Sequence, residues 1–190
     1  MVRKVPLIYL DTVIIRKLIE KKPADLINLM QTIKERKWKC FTSTFAILEL
    51  SDLKKDDVYL AKKVREKVEY KEVIKERDQK ELSNNELLIV KRYIDSFLEN
   101  YPYFSAIQIP VEVWKDALSA SLHSNVQAKD AIHLIAALYF GADVLVTYDT
   151  HLIQEGNKLL KKNNLENNLK IILPEKVYCI LTDMGFKMDS

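Results

Sequence analysis

The feature that most constrains the fold is the alternation of short apolar runs with amphipathic segments along the whole chain. The runs are too short for helices and rich in Val, Ile and Leu, which is typical of strands buried on both faces of a parallel sheet. Hydrophobic residues make up 48% of the 190 residues, so the chain can bury a substantial core. The alternation predicts an α/β fold, a three-layer α/β/α sandwich around a central, mostly parallel sheet.

The pattern also predicts where the individual elements lie. Strands are expected at 5–10, 38–43, 106–109, 143–147 and 169–173, with one more over Val177–Leu181. Helices are expected over 12–22, 23–37, 44–53, 54–81, 83–100, 110–122, 128–140 and 150–163. Ser83 to Glu86 has the pattern of a capping box, and Gly141 follows a helix where a C-terminal cap is expected.

The segment 54–81 differs in composition from the rest of the chain. It contains 18 charged residues among 28 and has no Gly, Ser or Pro, which predicts a solvated helix rather than a linker. A thin apolar stripe of Val58, Ala61, Val64 and Val68 is the face expected to pack. We predict one domain over 1–190, with a charged helical insertion at about 54–104 and a short C-terminal extension at 174–190.

Charge and cysteine content exclude several classes of protein. The net charge of +3 lacks the strong basic excess of a protein that coats nucleic acid, so RNA binding would depend on local basic patches. The basic residues at 54–67 could form such a patch, but the acids among them favour a solvated helix face. Cys40 and Cys179 have no Cys or His at ligand spacing, which argues against a structural zinc site and a disulfide framework.

The sequence also predicts the compartment. Asp11 ends the first apolar run too early for a signal-peptide core, and no apolar stretch reaches the 18 residues of a membrane span. A cytoplasmic protein without a membrane segment is expected.

Four carboxylates follow or flank predicted strands. Asp11 comes directly after the first strand, and Asp149 comes just after the strand at 143–147. Glu49 lies near the start of the helix after the second strand, and Asp130 lies in the first turn of the helix at 128–140. Active groups of open α/β sheets gather beyond the carboxyl ends of the strands, so we expect all four at one edge of the sheet.

Convergence of these acids would require a compensating cation. Two carboxylates about 5 Å apart repel by roughly 3 kcal/mol at an effective dielectric near 20. Cations or raised pKa values make such a cluster tolerable, and hard oxygen ligands select Mg²⁺ or Mn²⁺. Such ions bind phosphate oxygens and activate water for attack on phosphorus.

Each acid also has a structural interpretation when it is taken alone. Asp11 and Asp149 are placed to cap the helices that follow them, and Asp130 could complement a helix dipole. Glu49 could lie on a solvated helix face, although Leu48 and Leu50 flank it. The joint position of the four residues favours the functional interpretation.

The flanking residues form four motifs that resemble those of the PIN-domain ribonucleases. The motifs are YLDT at 9–12, TST at 42–44 with ILEL at 47–50, KDAIHLIAA at 129–137, and LVTYD at 145–149. The motifs around Asp130 and Asp149 are the most specific, and the resemblance covers residues 5 to about 173.

This resemblance implies a divalent-metal site with Asp11, Glu49, Asp130 and Asp149 as ligands, bound directly or through water. It implies that Thr12 and Thr147 orient carboxylates or water, and that RNA is the substrate. Many small PIN proteins are toxins of toxin–antitoxin pairs and form homodimers, so an antitoxin protein and a second copy are expected partners. The charged region at 54–103 and the tail at 174–190 distinguish this chain from the small toxins.

Two other functions are alternatives to this one. A phosphatase with an aspartyl nucleophile wants a second Asp two residues after the first, and Val13 occupies that position. The alternative from another class is a non-catalytic RNA- or protein-binding module on the same fold. Such a module typically loses one or more of the acids, whereas all four are present in this chain.

Other candidate residues have competing interpretations. His133 follows Asp130 by three residues and could be a ligand or base, but a packed or hydrogen-bonded histidine is favoured. His151 could approach a substrate. The aromatic residues at 101–104 could stack on bases, but core packing around Pro102 is favoured.

Overall fold

A central parallel sheet organises the molecule, whose computed structural model describes residues 5–20, 23–76 and 80–186. Its five strands in these ranges are β1 (Leu7–Leu10), β2 (Lys39–Ser43), β3 (Phe104–Ile107), β4 (Val144–Val146) and β5 (Lys170–Ile172). Their order is β3-β2-β1-β4-β5, and every neighbouring pair is parallel. The predicted α/β fold with a parallel central sheet is therefore confirmed.

Helices cover both faces of this sheet. They are α1 (Thr12–Ile19), α2 (Ala24–Glu35), α3 (Thr44–Arg65), α4 (Tyr70–Glu76), α5 (Asn84–Asn100), α6 (Val111–Leu122), α7 (Ala128–Tyr139), α8 (Thr150–Lys162) and α9 (Val177–Asp183). A short 3₁₀ helix at Pro174–Lys176 precedes α9.

Two hydrophobic cores lie on opposite faces of the sheet. Ile8 and Leu10 of β1 pack with the buried residues of α1, α2, α3, α5 and α9. Tyr9, between them in the strand, packs with α6, α7 and α8 on the other face. Successive residues of a strand point to opposite faces, so one short apolar strand serves both cores.

Two predicted helix ends have the expected geometry. The Ser83 side chain accepts from Glu86 N, while the Glu86 side chain accepts from Ser83 N, which completes the capping box of α5. Gly141 follows α7 with a φ of 70°. Its N–H donates to Leu138 O and that of Ala142 donates to Ala137 O, the paired bonds of a Schellman cap.

The structure corrects three predicted elements. Val177–Leu181 is part of helix α9 rather than a strand, because Val177 and Leu181 are buried at the spacing of one helical turn. The third strand is Phe104–Ile107 rather than 106–109, although Ile109 is also buried. The predicted helix at 44–53 does not end there, since α3 continues to Arg65 without a Gly or Pro to stop it.

The predicted helix at 54–81 is therefore divided. Its first part belongs to α3, and the chain then turns at Lys67, which has a φ of 56°, before α4. The predicted apolar stripe is confirmed at Val58, which is buried with its neighbour Tyr59, and is wrong at Ala61 and Val64, which are exposed. The part of this helix at 77–79 lies outside the described residues, as does the end of the predicted first helix at 21–22.

Ion pairs join the helices of the charged segment that begins at Lys54. Lys63 Nζ lies 2.7 Å from Glu76 Oε2, which connects α3 to α4. Lys62 Nζ lies 3.7 Å from Glu86 Oε2, which connects α3 to α5, and Lys80 pairs with Asp56. Ion pairs near the surface contribute little to stability individually.

The aromatic residues after α5 are packed in the protein rather than arranged as an open stacking surface. The ring centroid of Phe97 lies 4.9 Å from that of Phe104 and 5.3 Å from that of Tyr101. The core-packing interpretation of this segment is confirmed.

The two cysteines differ in environment, since Cys40 is buried and Cys179 is exposed, and both are free. Across 5–20, 23–76 and 80–186, no helix combines the length and the apolar character that crossing a bilayer requires.

Candidate functional site

The parallel pairing of β1 and β4 brings the first two acids to the same edge of the sheet. Leu10 is paired with Val146, and the Asp11 N–H donates to Val146 O over 3.1 Å. Asp11 therefore begins the loop beyond β1, and Asp149 ends the short loop beyond β4. The expectation that both lie at the carboxyl edge of the sheet is confirmed.

Asp11 is a buried helix cap whose two carboxylate oxygens both accept hydrogen bonds. Oδ1 accepts from Thr12 N over 2.6 Å, which caps α1. Oδ2 accepts from Thr147 Oγ1 over 2.6 Å. Asp11 is thus a helix cap, as its structural interpretation predicts, and it also lies at the carboxyl edge of the sheet.

Asp149 caps α8 in a similar way. Its Oδ1 accepts from His151 N over 2.8 Å and from Leu152 N over 3.0 Å. Its own N–H donates to Thr147 Oγ1 over 2.9 Å. Because Thr147 also donates to Asp11, this buried hydroxyl links the two caps.

Glu49 enters the same edge from α3. Its Oε2 accepts from Thr12 Oγ1 over 2.7 Å, and its Oε1 lies 3.3 Å from Lys129 Nζ. His133 Nε2 lies 3.1 Å from Oε2. Burial raises the pKa of Glu49, but the hydrogen bonds from His133 and Thr12 outweigh burial and lower the pKa to about 2.

His133 occupies the centre of the site from α7. Its Nε2 faces Glu49 and lies 3.4 Å from Asp11 Oδ1, while Nδ1 lies 2.9 Å from the Tyr9 hydroxyl. Burial lowers the pKa of His133, but the electrostatic effects of Tyr9 and Asp11 act in the opposite direction. With the hydrogen bond to Glu49, they leave the pKa well above its ordinary value. The histidine is hydrogen-bonded, and its partners include carboxylates of the site.

Asp130 differs from the other three acids in its hydrogen bonding. It lies in the first turn of α7, where a negative charge complements the helix dipole. Its Oδ2 is buried and has no hydrogen-bond partner within the described residues, and His151 Nδ1 is 3.9 Å away. Burial raises the pKa of Asp130, and the negative charges of Asp149 and Asp11 contribute to a pKa of about 6.

The four predicted acids therefore lie at one edge of the sheet, but they are not equally close to one another. Among the described residues, ligand atoms of Asp11, Glu49 and His133 lie within 4.8 Å of one another, a spacing that could hold a metal ion. Asp130 and Asp149 lie outside this compact group and influence each other electrostatically. The oxygen-rich donor set fits Mg²⁺ or Mn²⁺, and the Asp130 oxygen without a hydrogen-bond partner in the described ranges fits a ligand of such an ion.

Sequence reasoning missed three participants of the site. Tyr9, Ser43 and Lys129 lie within the quoted motifs, but the sequence assigns none of them a role at the site. A tyrosine in an otherwise aliphatic run of a doubly buried strand was the available signal, because a buried hydroxyl needs a hydrogen-bond partner. Lys129 gave no such signal, since an exposed lysine is ordinary on a helix surface.

Comparison with known proteins adds no further evidence on identity. No protein-family model matches the chain. A search of curated proteins found no sequence of significant similarity. The likeness to PIN-domain ribonucleases rests on the four motifs of the sequence.

Proposed function

We propose that the protein is a divalent-metal-dependent nuclease that hydrolyses RNA phosphodiester bonds. The observation that carries the proposal is Asp130, whose buried Oδ2 lacks a hydrogen-bond partner in the described ranges. Burial raises the pKa of Asp130, and the negative charges of Asp149 and Asp11 raise it further. A fold maintains uncompensated charge of this kind at a cost, which a bound cation would offset.

The proposed ligands of the cation are Asp11, Glu49, Asp130 and Asp149, acting directly or through water. Carboxylates are the ligands that Mg²⁺ and Mn²⁺ prefer. When bound, the ion supplies charge stabilisation at the phosphate and lowers the pKa of a water molecule.

The residues around the ligands have their own roles in this proposal. Thr12 donates to Glu49 and Thr147 donates to Asp11, so each hydroxyl holds a carboxylate in one orientation. Glu49 stays ionised at neutral pH because its pKa is about 2. Lys129, with 67% of its side chain exposed beside Glu49, is placed to meet a phosphate of the substrate.

The choice of RNA as substrate comes from the motif resemblance. On the same ground we propose a toxin that forms a homodimer and is neutralised by an antitoxin protein, and we keep the cytoplasmic location that the sequence predicts as a separate proposal. Light scattering of the purified protein tests the dimer. A small upstream gene with a DNA-binding motif would support the toxin assignment.

Cleavage of single-stranded and structured RNA in Mg²⁺ or Mn²⁺ tests the activity. We expect cleavage with either ion, none with chelator, and at least about a hundredfold loss in Asp130→Asn, because a transition-state charge interaction is removed. Asp143→Asn is the matched control. It changes the same charge at the opposite end of β4, where the side chain accepts from Leu7 N.

The contrary outcomes are distinct from one another. RNA that is bound but not cleaved under either ion would assign the protein to the non-catalytic binding modules. Cleavage by Asp130→Asn at the rate of the Asp143→Asn control would show that the site lies elsewhere.

A further inference from the structure

The surroundings of His133 Nε2 determine its protonation. Three oxygens lie around this nitrogen, at 3.1 Å for Glu49 Oε2, 3.3 Å for Thr12 Oγ1 and 3.4 Å for Asp11 Oδ1. The two carboxylates can only accept, and the Thr12 hydroxyl donates its proton to Glu49. A nitrogen lone pair directed at three oxygen lone pairs would be repelled, so Nε2 carries the proton and donates.

The other side of the ring is held in place. Nδ1 lies 2.9 Å from the Tyr9 oxygen, and the Tyr9 hydroxyl donates to Ser43 Oγ over 2.9 Å. Ser43 Oγ also accepts from Ala46 N, which caps α3. The ring is buried, and Phe45 packs against it with centroids 5.4 Å apart.

These contacts join four elements at one point. Tyr9 belongs to β1, Thr12 to α1, Glu49 to α3 and His133 to α7. A buried donor that contacts two carboxylates from different elements sets the orientation of both. Side chains that orient metal ligands in this way are a general requirement of metal sites.

We propose that His133 is a positioning residue whose Nε2–H holds Glu49 and Asp11 in the orientation that receives a divalent cation. Tyr9 and Ser43 fix the ring, and His133 does not itself bind the ion. The inference rests on the proposed metal-dependent function. It adds a residue outside the four acids and explains why an imidazole lies among them.

Binding of Mn²⁺ alone, measured by calorimetry, tests this role. His133→Leu should lose about 10–100-fold in Mn²⁺ affinity, the usual effect of removing an orienting side chain. His133→Gln keeps a donor and should recover part of the loss, while Tyr9→Phe should show a smaller loss of the same sign. Ile132→Ala is the matched control, since it opens a cavity in α7 next to His133 and should leave Mn²⁺ affinity unchanged.

Two spectroscopic measurements distinguish a positioning role of His133 from direct metal binding and from a role in packing alone. In metal-free protein labelled with ¹⁵N-histidine, the His133 Nε2–H should give a slowly exchanging resonance that shifts in Glu49→Gln. Pulsed EPR of the Mn²⁺ complex should show no directly coordinated nitrogen. The first readout needs neither metal nor variant of His133, so it decides the geometry even if His133→Leu does not fold.

Each contrary result has its own meaning. Equal Mn²⁺ affinity in His133→Leu and wild type overturns the positioning role and leaves the nuclease proposal intact. Coordinated nitrogen overturns it in favour of a ligand, and absence of the Nε2–H resonance removes the donor on which it depends. Wild-type protein that binds no Mn²⁺ overturns the proposed function together with this inference.

Discussion

At the scale of the residue, the acids of the site differ in how the fold supports them. Asp11 and Asp149 are satisfied helix caps, and Glu49 is held by Thr12 and His133. Asp130 has a buried oxygen without a hydrogen-bond partner among the residues described. The acids therefore differ in how much they contribute to folding and to the proposed metal binding, and single substitutions can separate these two contributions.

Asp130→Asn should stabilise the metal-free protein, and the gain should depend on pH. The folded-state pKa of about 6 lies above the ordinary value of 3.8, so the folded protein retains a proton that the unfolded chain loses. The contribution of Asp130 to the free energy of unfolding therefore falls as pH rises from about 4 to about 6. At one pKa unit per 1.36 kcal/mol the shift corresponds to about 3 kcal/mol, which solvent screening of this part-exposed carboxyl reduces, so the variant should gain about 1–2 kcal/mol at pH 7.5 and nothing at pH 3. Urea unfolding in chelator at both pH values measures this, and an equal effect of the substitution at both would contradict it.

Substitutions of Asp149 should separate capping from charge. Asp149→Ala removes the acceptor of two N–H groups of α8 and should cost about 1 kcal/mol in chelator. Asp149→Asn keeps a good capping side chain and should leave metal-free stability unchanged or raised. Thermal melting of the two variants checks the difference. Identical losses would mean that the cap contributes nothing.

At the scale of the element, Asp130 and His133 both lie on helix α7, which has a defined C-terminal cap. Helix α7 buries a nearly continuous apolar surface and ends at a left-handed Gly141, after which β4 begins within three residues. The short connection determines how α7 is oriented relative to β4, and hence where Asp130 and His133 meet the acids of the neighbouring elements.

Gly141→Ala should therefore destabilise the protein by about 1 kcal/mol. The backbone there has a φ of 70°, and a Cβ at this position would meet no atom within 4 Å, so the cost is conformational and not steric. Gly141→Asn should cost less, because asparagine tolerates the left-handed region better than alanine. Chemical denaturation in chelator ranks the two variants. A larger loss in Asn than in Ala would refute the conformational explanation.

At the scale of the whole molecule, the site joins elements that pack on the two faces of the sheet. Acids from the loops after β1 and β4 meet others from α3 and α7, which pack on opposite faces. A cation shared by these residues would stabilise the whole fold, since it binds the assembled edge and not the unfolded chain.

Mn²⁺ should raise the stability of the wild-type protein by about 2.7 kcal/mol at a hundredfold excess over its dissociation constant. Alanine variants of Asp11, Asp130 and Asp149 should gain much less, because each removes a ligand of the shared ion. Melting curves with chelator and with millimolar Mn²⁺ measure the response, and Asp143→Asn should respond as wild type does. A full response in all three alanine variants would show that these acids share no ion.

The sequence alone determined the layout of the molecule and the edge at which the acids meet. Local spacing of apolar residues encodes strands and helices, and parallel strands place their carboxyl ends together, so Asp11 and Asp149 could be assigned to one edge before any contact was known. Local spacing failed for α9, where a short apolar run suits either a strand or one helical turn.

Only the tertiary structure decided which side chains meet across that edge. Glu49 and His133 are 84 residues apart, and their contact depends on the strand order and on how α3 and α7 pack on the two faces of the sheet. The lack of a hydrogen-bond partner for Asp130 Oδ2 among the described residues is equally non-local, because it depends on every group that surrounds the oxygen. Periodicity is a property of neighbours in the chain, whereas hydrogen bonding and burial at this site depend on residues brought together from distant parts of it.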